Sequence, residues 1–270
     1  MSESVRFHVG SYSQPSPWAA APTGHGPGIS LIQLDPATGA MGQLSQLVES
    51  NPAFIASSEG AGRLWATTEI EHGGEFVSFG VTGRGELTRR RSVITGANSP
   101  CDLTVDLDRQ LAFVSHYQGG RLSVIALNDG DPTSLACVVS MPDIIGGEDR
   151  GEARPRPHAS MVIDDHIVVV DCGRDAVLFY GLEGTGDEAA LRLVTSLALP
   201  VGTGPRHITY DCRRHVLYLS NQNAASVSVV SLSSTPAEAR ARLVQMMPSP
   251  GLGRATGLPS EVALHPSLPL

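Results

Sequence analysis

Five prolines recur roughly 50 residues apart, and all but the first are followed by residue types that could do chemistry together. The two positions after Pro52, Pro100, Pro157, Pro205 and Pro259 read Ala53-Phe54, Cys101-Asp102, His158-Ala159, Arg206-His207 and Ser260-Glu261. Imidazole, guanidinium and carboxylate groups bind anions and move protons. In this pattern Arg206 would polarise a carbonyl, His158 or His207 would activate water, and Asp102 and Glu261 would hold the basic side chains in place. The alternative is that these groups are merely the solvated lining of a wet channel. The same histidines with Asp102 or Glu261 could form a nitrogen and oxygen metal site. No short-range ligand motif supports that, and Arg206 beside a cation opposes it, so no metal and no cofactor are expected.

A second set of polar residues follows one hairpin later: Thr68-Glu69, Ser115-His116-Tyr117, Asp171-Cys172-Gly173 and Ser220-Asn221-Gln222. Antiparallel pairing returns some of them to the same end as the prolines. Glu69, His116 and Asn221 are candidate substrate contacts, as is Asp102 of the first set, and the first three are equally turn residues that satisfy backbone groups. Arg154 and Arg156, just before His158, are candidate phosphate contacts or solvated surface. The chain has no Gly-x-Ser-x-Gly elbow and no glycine-rich phosphate loop before a helix, which disfavours a serine hydrolase or nucleotide-binding enzyme.

What must position these residues is a repeat. After Pro100, Pro157 and Pro205 the same beats of short β-branched and aromatic runs recur, separated by Gly, Asp, Asn and Ser clusters. Four strands per unit of roughly 40–50 residues is the arithmetic of a β-propeller blade. The expectation is an all-β propeller of four-stranded blades, with about five blades' worth of strands in one domain over residues 1–270. A β-sandwich ranks second. No sustained helical period is present, and Pro236 to Arg242 is at most one short turn. The first blade has only three strand-like runs and lacks its innermost strand. The run Glu261–Leu264 either completes that blade, closing a five-bladed ring, or begins a sixth blade that stays unfinished. An unfinished propeller would expose apolar blade edges and tend to oligomerise. Two long loop-like stretches, Gln14 to Pro27 and Pro142 to Pro157, would project from the ring, the second beside the channel mouth.

A formal charge of −8 and a pI near 5.5 argue against a nucleic-acid-binding surface. The longest apolar run, Ile167 to Val170, is far too short to span a bilayer, and the N-terminus lacks the apolar stretch of a signal peptide. Four scattered cysteines without a Cys-x-x-Cys pair fit a reducing, cytoplasmic setting.

The chain resembles the lactonase family of seven-bladed β-propellers, which includes 6-phosphogluconolactonases and carboxy-cis,cis-muconate cyclase. The stretches that carry the resemblance are His8-Val9-Gly10-Ser11-Tyr12-Ser13, Gly28-Ile29 through Leu34-Asp35-Pro36-Ala37-Thr38-Gly39, Asn51-Pro52-Ala53-Phe54, Ser99-Pro100-Cys101-Asp102-Leu103, Pro157-His158-Ala159, Asp171-Cys172-Gly173-Arg174-Asp175, Gly204-Pro205-Arg206-His207 and Glu261-Val262. The resemblance implies hydrolysis of a small anionic sugar-acid lactone, foremost 6-phosphogluconolactone in the pentose phosphate pathway, with His158, Arg206, His207 and Glu261 as catalytic residues. The sequence departs from the family at Asp102 and Ser160, where the family often has His, at Gln222, where it often has Glu, and at Ala263 and His116. It also ends more than a blade before the family's chains do, which favours the unfinished propeller. Two other readings remain open: a non-catalytic binding or scaffold module, and a muconate-type lactonising cycloisomerase.

Overall fold

The computed structural model describes residues 4–15, 24–58, 60–70, 73–145, 148–149, 153–233, 240–249 and 259–265. Its backbone falls into two compact units, residues 1–119, 123–138 and 186–188 in one and residues 120–122, 139–185 and 189–270 in the other.

The first unit begins with a three-stranded antiparallel sheet, β1 (Val5–Gly10), β2 (Gly28–Leu34) and β3 (Met41–Val48). Two four-stranded sheets follow: β4 (Pro52–Ser58), β5 (Arg63–Thr68), β6 (Glu75–Val81) and β7 (Leu87–Ile94), then β8 (Pro100–Asp106), β9 (Leu111–His116), β10 (Arg121–Asn128) and β11 (Asp131–Ser140). The second unit has a two-stranded ribbon, β12 (Ile144–Ile145) and β13 (Glu148–Asp149), within the stretch expected as a plain loop. Two further four-stranded sheets complete it: β14 (Pro157–Ile163), β15 (His166–Asp171), β16 (Ala176–Glu183) and β17 (Ala190–Ala198), then β18 (Pro205–Asp211), β19 (Val216–Asn221), β20 (Ser226–Leu232) and β21 (Ala241–Pro248). Strand order in each sheet follows chain order, the meander of a propeller blade.

β1 packs against β4 as β5 packs against β8 and β15 against β18, so β1 occupies the second-strand place of its sheet. The innermost strand of that sheet is absent among the described residues, as the sequence predicts. Val5, Phe7 and Val9 on β1 consequently remain 48%, 37% and 40% exposed. The expectation of a strand from Pro259 onward is not met: residues 259–265 join no ladder, and the first sheet holds only β1, β2 and β3 among the described residues. A β-prone run becomes a strand only where a neighbouring edge offers its backbone bonds. Of the helical turn considered at 236–242, residues 236–239 lie outside the described residues, as does most of the loop from Gln14, while Ala241 and Arg242 open β21 rather than close a helix.

Faces pack in the manner the alternation of side chains dictates. In the first unit Trp65 and Phe76 of one blade meet Leu103, Val114 and Ile125 of the next, and the Trp65 indole N–H donates to Gly130 O at 2.7 Å. In the second unit Val168, Val170 and Phe179 meet Ile208, Leu217 and Leu219.

Candidate active site

All four innermost strands begin with the same device. Pro52 pairs with Thr68, Pro100 with His116, Pro157 with Asp171 and Pro205 with Asn221, and in each case the ladder slips by one residue immediately afterwards. The residue that slips out is Ala53, Cys101, His158 or Arg206. A β-bulge leaves its extra residue unpaired and re-aims its side chain. A second bond fixes the bend: the carbonyl just before each proline accepts from the N–H of Glu69, Tyr117, Cys172 or Gln222, at 2.7–3.1 Å. Asn51 (φ 38°), Ser99 (φ 57°) and Gly204 (φ 60°) take left-handed backbone at that point.

This repeat divides the second set of sequence candidates into two classes. Thr68, His116, Asp171 and Asn221 lie opposite the prolines and are buried, bonded within their own blades. His116 Nε2 meets Ser123 Oγ at 2.9 Å, and the Asn221 amide donates to Ser226 and Ser228. Asp171 Oδ1 accepts the N–H groups of Arg156, Gly173 and Arg174. Glu69 is also buried, and accepts from the Tyr12 hydroxyl and from Ser99 Oγ. Asp102 is buried opposite Ser115. Glu69, Asp102 and His116 all belong to the first unit.

The second unit gathers the remaining residues. β14 packs on β18 and brings the His158 and His207 rings to 5.1 Å between centroids, tilted by 58°. Glu261 Oε2 stands 3.4 Å from His207 Nδ1. Arg206 donates through Nη1 to Gln222 Oε1 and through Nε to Ser260 Oγ at 3.2 Å. Ser220 Oγ accepts the His207 N–H at 3.1 Å and donates to Ser260 O at 3.0 Å, which ties the 259–265 segment beside the histidines although it forms no strand. Thus His158, Arg206, His207 and Glu261 converge. The residue touching Arg206 is Gln222 rather than Asn221, its neighbour one position earlier. Ser220 and Ser260 belong to the two polar sets in the sequence, which assigns them no role, and are positioning residues. Arg156 is half-buried and Arg154 exposed.

The electrostatics suit proton transfer. Burial, and then the charges of Arg206 and His207, hold His158 well below the ordinary imidazole range, so it is neutral at pH 7. Burial also lowers His207, opposed by Glu261 and reinforced by Arg206. Cys172 is the reverse case: burial pushes its thiol up to about 11, although the Arg206 and Arg156 charges pull it down. It is no nucleophile at neutral pH. Among the described residues no group of three or more His, Cys, Asp or Glu side chains converges so as to hold a metal ion.

The family profile described as "Lactonase, 7-bladed beta-propeller" matches residues 6–267. A 6-phosphogluconolactonase of Bacillus subtilis (strain 168) is 24% identical over 245 residues, 89% of this chain and 65% of that protein. An uncharacterized protein of Lactococcus lactis subsp. cremoris is 25% identical over 226 residues, 82% of this chain and 64% of its own. The chain therefore spans just under two thirds of the length of these curated relatives. Among solved structures, a periplasmic gluconolactonase of Pseudomonas aeruginosa aligns with a TM-score of 0.78 at 20% identity, covering 93% of this chain and 70% of that one. A protein from Lactobacillus plantarum aligns at 0.74 and 18% identity, covering 97% and 70%. At these identities the structures attest the fold alone.

Proposed function

We propose, from the premise that this chain belongs to the lactonase family of seven-bladed β-propellers, that it hydrolyses a sugar-acid lactone at the Arg206–His158–His207–Glu261 cluster. The observation that carries the reading is one guanidinium beside two depressed imidazoles, one of them facing a carboxylate. Glu261 on Nδ1 leaves His207 Nε2 to accept a proton from water, and steadies the imidazolium that forms. The hydroxide equivalent adds to the lactone carbonyl. Arg206 faces the resulting oxyanion or an anionic substituent of the substrate. Collapse of the tetrahedral intermediate breaks the ring ester bond, and the proton on His207 returns to the leaving alkoxide. His158 stays neutral, so it adds no repulsion when His207 is charged.

6-Phosphogluconolactone is the first substrate to test, in keeping with the activity named for the Bacillus subtilis relative. Arg156, whose charge acts on Cys172 together with that of Arg206, is the first candidate for its phosphate; Arg154 is the second. Family membership also supports reading residues 1–270 as one propeller domain. A cytoplasmic location fits the free thiols of Cys101, Cys137, Cys172 and Cys212. No helix among the described residues is long and apolar enough to cross a membrane.

The second reading is a non-catalytic binding module. It draws on Gln222, a neutral amide on Arg206 where the family often carries Glu. The deciding assay is lactone hydrolysis by the purified chain, its Arg206→Ala and its His158→Ala variants. Unchanged rates in both variants reject the site. A thermal-shift screen with 6-phosphogluconate, unphosphorylated sugar acids and muconate-like diacids distinguishes lactonase, cycloisomerase and binding module, because a ligand that binds only the native state raises its stability.

A further inference from the structure

The first unit carries a cavity of about 710 Å³ at the end of β4 remote from Pro52. It is lined by the start of β1, the end of β4, the start of β5 and the turn between β6 and β7. Small-molecule pockets fall in this size range. Its lining combines apolar surface with cations. Phe7, Leu31, Ile55 and Val81 supply the first; Arg6, Arg63 and Arg84 supply the second, and no carboxylate lines it among the described residues. In a chain of formal charge −8 that is a local reversal of sign.

The three arginines differ. Arg63 is committed, with Nη2 3.4 Å from Asp129 Oδ2 and Nε 3.6 Å from Asp131 Oδ1. Among the described residues Arg6 reaches only the Arg84 carbonyl, at 3.3 Å, and Arg84 has no carboxylate partner. The hairpin that displays Arg84 is fixed. Gly85 takes φ +86°, Thr82 Oγ1 accepts the N–H groups of Arg84 and Glu86, and His8 Nε2 donates to Gly85 O at 2.8 Å. Backbone donors lie close by. Among the described residues β1 pairs only with β2, and the bond from Ser11 N–H to Gly28 O sets the alternation so that the backbone groups of Val5, Phe7 and Val9 face β2. The N–H groups of Arg6 and His8 therefore point to the open edge.

We propose that this cavity binds a small carboxylate with an apolar body, its carboxylate on Arg6 and Arg84 and its body against Phe7, Leu31, Ile55 and Val81. Two guanidinium groups without carboxylate partners among the described residues, and an edge of backbone donors, suit a charged head. The apolar wall gives a hydrocarbon tail area to bury.

The test is calorimetric titration of the purified full chain at low salt with octanoate, octanamide and inorganic phosphate. Octanoate is expected to bind at least tenfold more tightly than octanamide and than phosphate. The double variant Arg6→Ala/Arg84→Ala, at two exposed positions that the fold does not use, should weaken octanoate at least tenfold and leave octanamide unchanged. Several results overturn the proposal. These are no octanoate binding in a folded chain, equal affinity for octanamide, phosphate binding as tightly as octanoate, or octanoate affinity untouched in the double variant. If the open edge of β1 serves a second copy of the chain instead, sedimentation will show a dimer in which octanoate produces no heat.

Discussion

Replacing Glu261 with Gln isolates one interaction of the proposed mechanism. The side chain keeps its shape and loses its charge, 3.4 Å from His207 Nδ1. At an effective dielectric of 20 the Coulomb energy at that distance would be about 5 kcal/mol, and in bulk water about 1.2 kcal/mol. Glu261 is 58% exposed, so the lower figure applies. The imidazolium that develops in the transition state then loses about 1.2 kcal/mol, which is roughly an eightfold fall in kcat. The His207 pKa loses its one upward influence, leaving burial and Arg206, both of which lower it. The acid limb of the kcat profile should therefore shift to lower pH. Initial rates of lactone hydrolysis between pH 4.5 and 8.5, followed by acid release, measure both effects. A kcat within twofold of the parent with an unmoved acid limb would remove His207 and Glu261 from the role of base and orienting partner. A loss beyond a thousandfold would refute the reasoning from the other side, making Glu261 itself the proton acceptor.

Three further outcomes are expected. His158 is held neutral when folded but titrates near 6.5 when unfolded, so stability should be fully present above pH 6.5 and fall as the pH drops, by at most about 1.4 kcal/mol per pH unit from this group; urea midpoints that decline identically in His158→Gln would refute it. Asp131 accepts a two-point contact from Arg90 and a 2.8 Å bond from Ser78. Its replacement by Ala should cost about 2 kcal/mol, less than a fully buried pair because Arg90 is 42% exposed, and a urea-derived loss under about 0.5 kcal/mol would contradict this. A Cβ on Gly173 would lie 2.0 Å from Arg154 O, so Gly173→Ala should destabilise by about 2–3 kcal/mol and displace the approach to Pro157; an unaltered melting temperature would show that the approach yields freely.

The repeat was legible because proline chemistry is local. A residue without an N–H opens each innermost strand, and the spacing between such residues survives in the sequence. The convergence of His158, Arg206, His207 and Glu261 followed from it. Two things were not legible, for different reasons. Glu261–Leu264 has the composition of a strand, but a ladder depends on a partner edge that composition does not encode. Asn221 and Gln222 are both polar and adjacent, and strand alternation sends only one of them out of the blade. The pairing of Pro205 with Asn221 buries the first, and the next N–H, on Gln222, closes the bulge. The register was the missing signal, and it repeats at Thr68, His116 and Asp171, each opposite its proline.

The bulge also separates scaffold from chemistry in a way that sharpens the deciding experiment. Ala53, Cys101, His158 and Arg206 occupy the same slipped position, so the backbone there accepts side chains from methyl to guanidinium. Ala at position 206 would repeat what Ala53 already does. The Arg206 side chain is half-buried and bonded to Gln222 and Ser260, contacts whose loss water can replace. Arg206→Ala should therefore change stability by no more than about 1 kcal/mol. If Arg206 faces the oxyanion, the same substitution should lower kcat by about a hundredfold or more. The two readouts must come apart. A rate that falls only in proportion to the folded fraction would mean that Arg206 braces the second unit and does no chemistry, and the lactonase reading of this cluster would fail with it.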